Sequence, residues 1–329
     1  MRSPFRLLAC VALGFVCTQV LSAAAAPTGQ PRKKVLFFSK SSGFEHATVK
    51  RMACNPSFVE QVLKELGEKH NFDFVFSKDG SLFNAQYLAQ FDAFVFYTTG
   101  DLTLARNNER YGDNQPPMTA EGKEAFLKAI EAGKGFVGVH SASDTFHSPG
   151  NKDDNVPARY VNDGANADPY IKMLGGEFIK HDAEQPARQI VVDPKFPGIA
   201  DLPAGFGPHE EWYSLKNIAT DMHAILVQDT SGMRGASYQR PPFPSTWARM
   251  QGRGRVFYTS MGHRQDVWLS APFQSVLLGG LNWATGRVDA DVTPNLSKVA
   301  PQANVLPAFP APPPPKAPAT ATPKSETAR

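Results

Sequence analysis

The run Gly133 to Ser148, GKGFVGVHSASDTFHS, limits the fold more than any other stretch of this 329-residue chain. Phe136-Val137-Gly138-Val139 has no polar residue to mark a solvent face, which is how a strand buried on both sides of a parallel sheet reads. It breaks at once into His140-Ser141-Ala142-Ser143-Asp144, a set of small and ionisable residues. In open α/β sheets ligands sit at the carboxyl ends of the strands, so this polar end is a candidate site. At this point a plainer reading stays open: a serine or Asp144 caps a following helix and His140 packs nearby.

Both ends of the chain read as lying outside the fold. Residues 1–25 hold Arg2 and Arg6, an apolar stretch from Leu7 to Leu21 and then small residues, the three-part pattern of a secretory signal peptide. The expected location is therefore secreted or periplasmic. From about Ala290 to Arg329 the chain is rich in Pro, Ala, Thr and Lys, and this composition reads as an extended, disordered tail. One large α/β domain is expected between, over residues 32–289. After signal removal only Cys54 remains, so no intramolecular disulfide can form. The formal charge of +3 carries two excess cations in Arg2 and Arg6 and two more in the tail, leaving the domain near −1. Nothing there resembles the basic footprint of a nucleic-acid binder. No later segment is long and apolar enough to span a membrane.

Within the domain, Lys34–Ser39, Phe72–Phe76 and Ala93–Tyr97 read as further short strands. Ser57–His70 and Thr119–Ala132 read as helices with start and stop signals at Asn55-Pro56-Ser57, Thr119 and Gly133. This alternation argues for a doubly wound, mostly parallel sheet with helices on both faces. Beyond Ser148 a polar insert runs to Ala167 and reads as a lid or a loop without structure of its own. A short helix is expected over Pro169–Leu174, strands over Glu177–His181, Arg188–Val192, His223–Val227 and Val256–Ser260, and a closing helix over Pro272–Gly286.

Histidines recur at or near strand ends: His46, His140, His181 and His263, with His209 beside Glu210 and Glu211. Converging imidazoles and carboxylates bind a divalent metal, here His140, His181 and His263, or perform acid–base chemistry near neutral pH. The spacing does not choose between these, and the cofactor stays unassigned. Asp144, four residues after His140, faces the same side if a helix starts there. Gly138-Val139-His140-Ser141-Ala142 departs from the serine-hydrolase pattern G-x-S-x-G. Trp212, Tyr213 and Trp247 are candidate platforms for a sugar ring, with Ser141 a further contact, and all could equally be core. Adjacent Glu210 and Glu211 are not expected to act as a glycosidase pair, because such carboxylates stand about 5–10 Å apart across a sugar.

Five segments together resemble one family. They are Lys34–Ser39 with Gly43-Phe44-Glu45-His46, Gly135–Thr145, Leu174–Phe178, Glu211-Trp212-Tyr213 and Gly254–His263. In this order they are similar to the ThuA-like (trehalose utilisation) domains, over about residues 34–286. The resemblance implies a flavodoxin-like fold akin to the class I glutamine amidotransferases and a link to disaccharide or 3-keto-glycoside metabolism. In amidotransferases a nucleophilic cysteine follows the strand that here ends at Val139. His140-Ser141 holds that place, so glutaminase activity is not carried over.

The expectation is a secreted carbohydrate enzyme (a hydrolase, lyase or isomerase). His140, His181 and His263 would lie at its centre, with Asp144 and Glu211 as carboxylates and His46 at the rim. The rival is a non-catalytic carbohydrate-binding module using Trp212 and Trp247. The expected partner is a small carbohydrate, and a homo-oligomer is left open.

Overall fold

The computed structural model describes residues 31–53, 55–105, 112–150 and 156–311. The signal-like segment, Cys54 and the proline run at 312–315 lie outside the described residues.

Among the described residues twelve strands follow one another: β1 (Lys33–Phe38), β2 (Phe72–Ser77), β3 (Ala93–Phe96), β4 (Gly135–Val139), β5 (Glu177–Lys180), β6 (Gln185–Pro186), β7 (Gln189–Val191), β8 (His209–Glu210), β9 (Ser214–Lys216), β10 (His223–Gln228), β11 (Phe243–Gln251) and β12 (Gly254–Thr259). The helices are α1 (Phe58–His70), α2 (Ala85–Ala89), α3 (Ala120–Glu131), α4 (Pro169–Leu174), α5 (Gln265–Leu269), α6 (Ala271–Ala284) and α7 (Leu296–Val299). Eight strands form the main sheet in the order β2-β1-β3-β4-β12-β11-β10-β7. From β2 to β12 every pairing is parallel, and from β12 to β7 every pairing is antiparallel. This is the expected flavodoxin-like α/β sheet, extended on one side by an antiparallel ribbon.

The continuous apolarity of the central strands has a direct cause. Val35 and Phe37 of β1, Val95 of β3 and Val137 of β4 enter one core, where α1 and α6 contribute Leu63, Val276 and Leu281. Leu36, Phe38, Phe96 and Phe136 enter the other, against Phe126 of α3 and Leu174 of α4. Each strand residue therefore meets a helix layer whichever way it points. Helix starts follow the sequence signals: Ser57 and Glu60 form a capping box on α1, and Thr119 caps α3.

The structure differs from the sequence reading in three places. Phe243–Gln251, to which the sequence reading assigns no element, forms β11, the longest of the described strands. The packed domain runs past Asp289: Asn295 brackets Ala224, accepting from its N–H at 2.7 Å and donating to its carbonyl at 2.9 Å, and Leu296 and Ala303 are buried. Asn295 thus ties this segment to β10, and Asn304 ties it to Ile218, accepting from its N–H at 3.0 Å and donating to its carbonyl at 2.7 Å. The described part of the insert is also structured, with short 3₁₀ turns at Pro157–Tyr160 and Gly164–Asn166 and the buried Arg159 donating to the Ile179 carbonyl at 2.9 Å.

Candidate metal centre

Three strand ends deliver three histidines. After β1 the chain turns, and Ser42 and Gly43 donate to the Thr99 carbonyl at 2.8 and 3.1 Å. Two buried lysines fix this turn from beneath. Lys40 reaches Asp113 at 3.3 Å, and Lys78 reaches Glu45 at 3.0 Å and Asp113 at 3.4 Å. Each positive charge is paired, as burial demands, and the clamped turn presents His46. His140 follows β4 with no spacer and takes a left-handed backbone, φ 46°. Such a conformation is uncommon outside glycine and clusters at functional sites. His263 follows β12 through Gly262, whose φ of 115° swings the chain back over Val139.

Glu211 comes from elsewhere. Beyond α4 the chain leaves the main sheet and builds two small ladders, β5 with β9 and β6 with β8. Glu210 and Glu211 follow one another at the end of β8 and do different jobs. Glu210 is fully buried and accepts the backbone N–H groups of Gly262, His263 and Arg264 at 3.0, 3.1 and 3.4 Å. It thereby holds the His263 turn; burial pushes its carboxyl up to about 7 against those three donors. Glu211 points into the histidines.

The result is a compact donor set. One ligand atom from each of His46, His140, Glu211 and His263 lies within 4.8 Å of every other. Glu211 Oε2 stands 3.2 Å from His263 Nδ1, 3.4 Å from His140 Nε2 and 3.9 Å from His46 Nε2. The tautomer of His140 is fixed by its surroundings. Its Nδ1 lies 2.9 Å from the Ser260 carbonyl, which can only accept, so Nδ1 carries the proton. Nε2 is then a bare lone pair, buried and with no hydrogen-bond partner. Burial lowers His140 to about 4, which keeps the ring neutral. His46 Nδ1 and His263 Nδ1 are likewise buried without hydrogen bonds.

A neutral imidazole lone pair facing a carboxylate oxygen gains nothing from the pairing unless a cation lies between them. The residues therefore fit a divalent transition metal bound by three imidazoles and one carboxylate. Outer partners follow the usual arrangement for such ligands. His140 is held by the Ser260 carbonyl, and His263 Nε2 lies 3.2 Å from Glu184, which Arg264 braces at 2.5 Å. Burial would raise the Glu211 carboxyl, but the surrounding imidazoles of His140, His263 and His46 hold it far below the usual range.

The other candidate residues fall into place around this set. His46, expected at the rim, is buried within the ligand group. His181 is outside that group: 40% exposed, its Nδ1 lies 3.1 Å from the Asp182 carbonyl and 3.3 Å from Glu211 Oε1, so it approaches from the mouth. Asp144 binds His147 at 2.5 Å instead of supporting His140. Tyr213 is buried with its ring 4.2 Å from that of His140, and its hydroxyl is 3.4 Å from His46 Nε2. Ser141 is fully buried, its hydroxyl without a partner.

The tryptophan platforms are corrected. Trp212 and Trp247 are fully buried, and their indole N–H groups are spent on the carbonyls of Gln185 and Leu174. No ring face is left for a sugar, so the binding-module reading loses the residues that carried it. The exposed aromatic at the mouth is Phe44, 53% exposed and edge-on to His46 at 5.1 Å. Sequence reasoning passed over Phe44, Glu184 and His147; only the adjacency of Phe44 to His46 could have flagged the first.

The whole strand-to-helix core of the chain, residues 34–284, matches the family described as trehalose utilisation, ThuA. The chain belongs to the ThuA family. Among solved structures, a ThuA-like protein from Bacteroides uniformis is 20% identical, with a TM-score of 0.55, covering 79% of this chain and 94% of the other. One from Parabacteroides merdae is 19% identical, with a TM-score of 0.47, covering 80% and 93%. The first of these carries the fold for this ThuA domain. No curated protein matches the chain.

Proposed function

We propose that this ThuA domain is a metal-dependent enzyme of carbohydrate metabolism, acting on a disaccharide-derived keto-sugar by proton transfer beside a carbonyl. The observation that carries the reading is the bare, buried Nε2 of His140 aimed at Glu211 within a set of three imidazoles and one carboxylate. A divalent cation held there would polarise a sugar carbonyl or hydroxyl oxygen. Around it the chain's own residues do the rest. Tyr213 and Tyr97 wall the histidines with aromatic rings, Phe44 offers a face at the mouth for the apolar side of a sugar, and Asp144, His181 and Glu184 stand near as groups able to take up or release a proton. The family's description, trehalose utilisation, supports a disaccharide-derived substrate, and the signal-like N-terminus supports export.

Elemental analysis of the purified protein, followed by assay of a panel of 3-keto-glycosides with and without chelator, tests this. Stoichiometric metal and chelator-sensitive turnover are expected, both lost in a folded His140→Ala/His263→Ala protein. Turnover that is unchanged in that double variant sinks the reading.

A further inference from the structure

Next to the donor set lies a second cluster whose chemistry the metal does not explain. His147 sits between two carboxylates: its Nε2 is 2.5 Å from Asp144 Oδ1, and its Nδ1 is 3.0 Å from Glu177 Oε1. Glu177 is fully buried, and it also accepts from the Ser148 N–H at 3.0 Å, the Ser148 hydroxyl at 2.6 Å and Asn217 Nδ2 at 2.6 Å. Four donors on one carboxylate fix it as the anion. Since a carboxylate only accepts, His147 must donate from both nitrogens, which makes the ring an imidazolium.

Asp144 closes the 3₁₀ turn that begins at His140, and its charge is close enough to act on His46 and Tyr213. Only its Oδ1 is engaged. Oδ2 has no hydrogen-bond partner among the described residues, and the side chain keeps 20% exposure. The cluster is thus a buried anchor, a charged bridge and a carboxylate with one oxygen left to react.

We infer that Glu177 and His147 are positioning residues that fix the Asp144 side chain where the turn leaves His140, with Asp144 as the proton acceptor toward a keto-sugar. The inference rests on the proposed function for its substrate. In the step, Asp144 Oδ2 takes a proton from the carbon next to the ketone. The C–H bond breaks, an O–H bond forms on Asp144, and the electron pair moves toward the carbonyl oxygen to leave an enolate. His147 keeps both protons throughout, and its hydrogen bond to Oδ1 leaves Oδ2 as the accepting atom.

Other charges near the bridge are consistent with this state. Burial and the charge of Arg159 disfavour the imidazolium, yet the two carboxylates raise His147 above its ordinary value, and the charge of Lys216 adds to His147 in lowering Glu177.

The test uses full-length protein loaded with zinc: ¹⁵N-labelled at histidine and observed in H₂O for the imidazole protons, and mixed with a methyl 3-ketoglucoside in D₂O for exchange into the sugar. His147 is expected to show two N–H protons at pH 7, with one lost at lower pH in Glu177→Gln. Deuterium exchange into the sugar should fall about a hundredfold in Asp144→Asn and about tenfold in His147→Gln. In His147→Gln the loss should fall on kcat, with KM and zinc content unchanged. A singly protonated His147, or a His147→Gln protein with the wild-type kcat, overturns the relay and leaves the sugar reading intact. Exchange that survives Asp144→Asn overturns the acceptor. Wild-type protein inert on the whole panel overturns the sugar reading, and Asp144 as its base goes with it.

Discussion

Glu177 shows at the scale of one residue how burial and function are tied. It has no contact with solvent, and three neighbouring residues supply its donors. Removing one partner of such a pair leaves the other buried and uncompensated, at a cost of about 3–5 kcal/mol. Glu177→Ala should lose that much stability, read from urea midpoints at pH 7. The pH dependence follows from the two shifts. Burial would raise Glu177, but His147 and Ser148 lower it to about 2, so its contribution is complete above its unfolded value and is lost as pH falls from 4.5 toward 2. His147 is raised, so its contribution is complete below 6.5 and is lost as pH climbs through the raised value. The wild-type protein should therefore be most stable between these limbs, and Glu177→Ala should flatten both. A variant with unaltered limbs would show that the pair is not the source.

Single elements explain what the sequence could and could not reveal. The central strands are legible because both faces are covered: Phe136-Val137-Gly138-Val139 has no solvent side to encode. β11 escapes the same reading because its buried positions include Ser245, Thr246 and Arg249, which bond to Gln189, Thr259 and the α4 carbonyls. Trp247 illustrates the opposite trap, since a core tryptophan and a sugar platform look alike until burial is known. His46 and His181 exchanged roles for a related reason. Rank order along the chain shows that a strand ends in histidine, whereas loop geometry decides how far the ring reaches. His147 went unnoticed because it sits past the end of the strand pattern and finds Glu177 only through the fold. The helix on the other face has its own specification. α6 packs against the 197–198 turn so closely that a Cβ on Gly279 would stand 1.9 Å from the Pro197 carbonyl oxygen, a backbone atom that cannot swing aside. Gly279→Ala should therefore destabilise by about 1–3 kcal/mol despite the better helix propensity of alanine. A raised melting temperature in that variant would contradict the packing described.

Across the whole molecule, His46, His140, Glu211 and His263 come from four separate stretches of chain, and they meet only when β1, β4 and β12 are aligned and the β6–β8 ladder is in place. An unfolded chain has no such constellation to offer. A cation that binds here binds the native state alone, so its affinity is drawn into the folding equilibrium by mass action. At a hundredfold excess over Kd the gain is about 2.7 kcal/mol, which for a domain of this size raises Tm by roughly 5–10 °C. Zinc titrated into metal-stripped protein should produce that concentration-dependent rise, and Glu211→Gln, folded but short of its carboxylate, should show little of it. Folding and metal supply then become coupled quantities: the amount of folded protein would follow the metal available to it, a dependence that no local description of the four ligands contains.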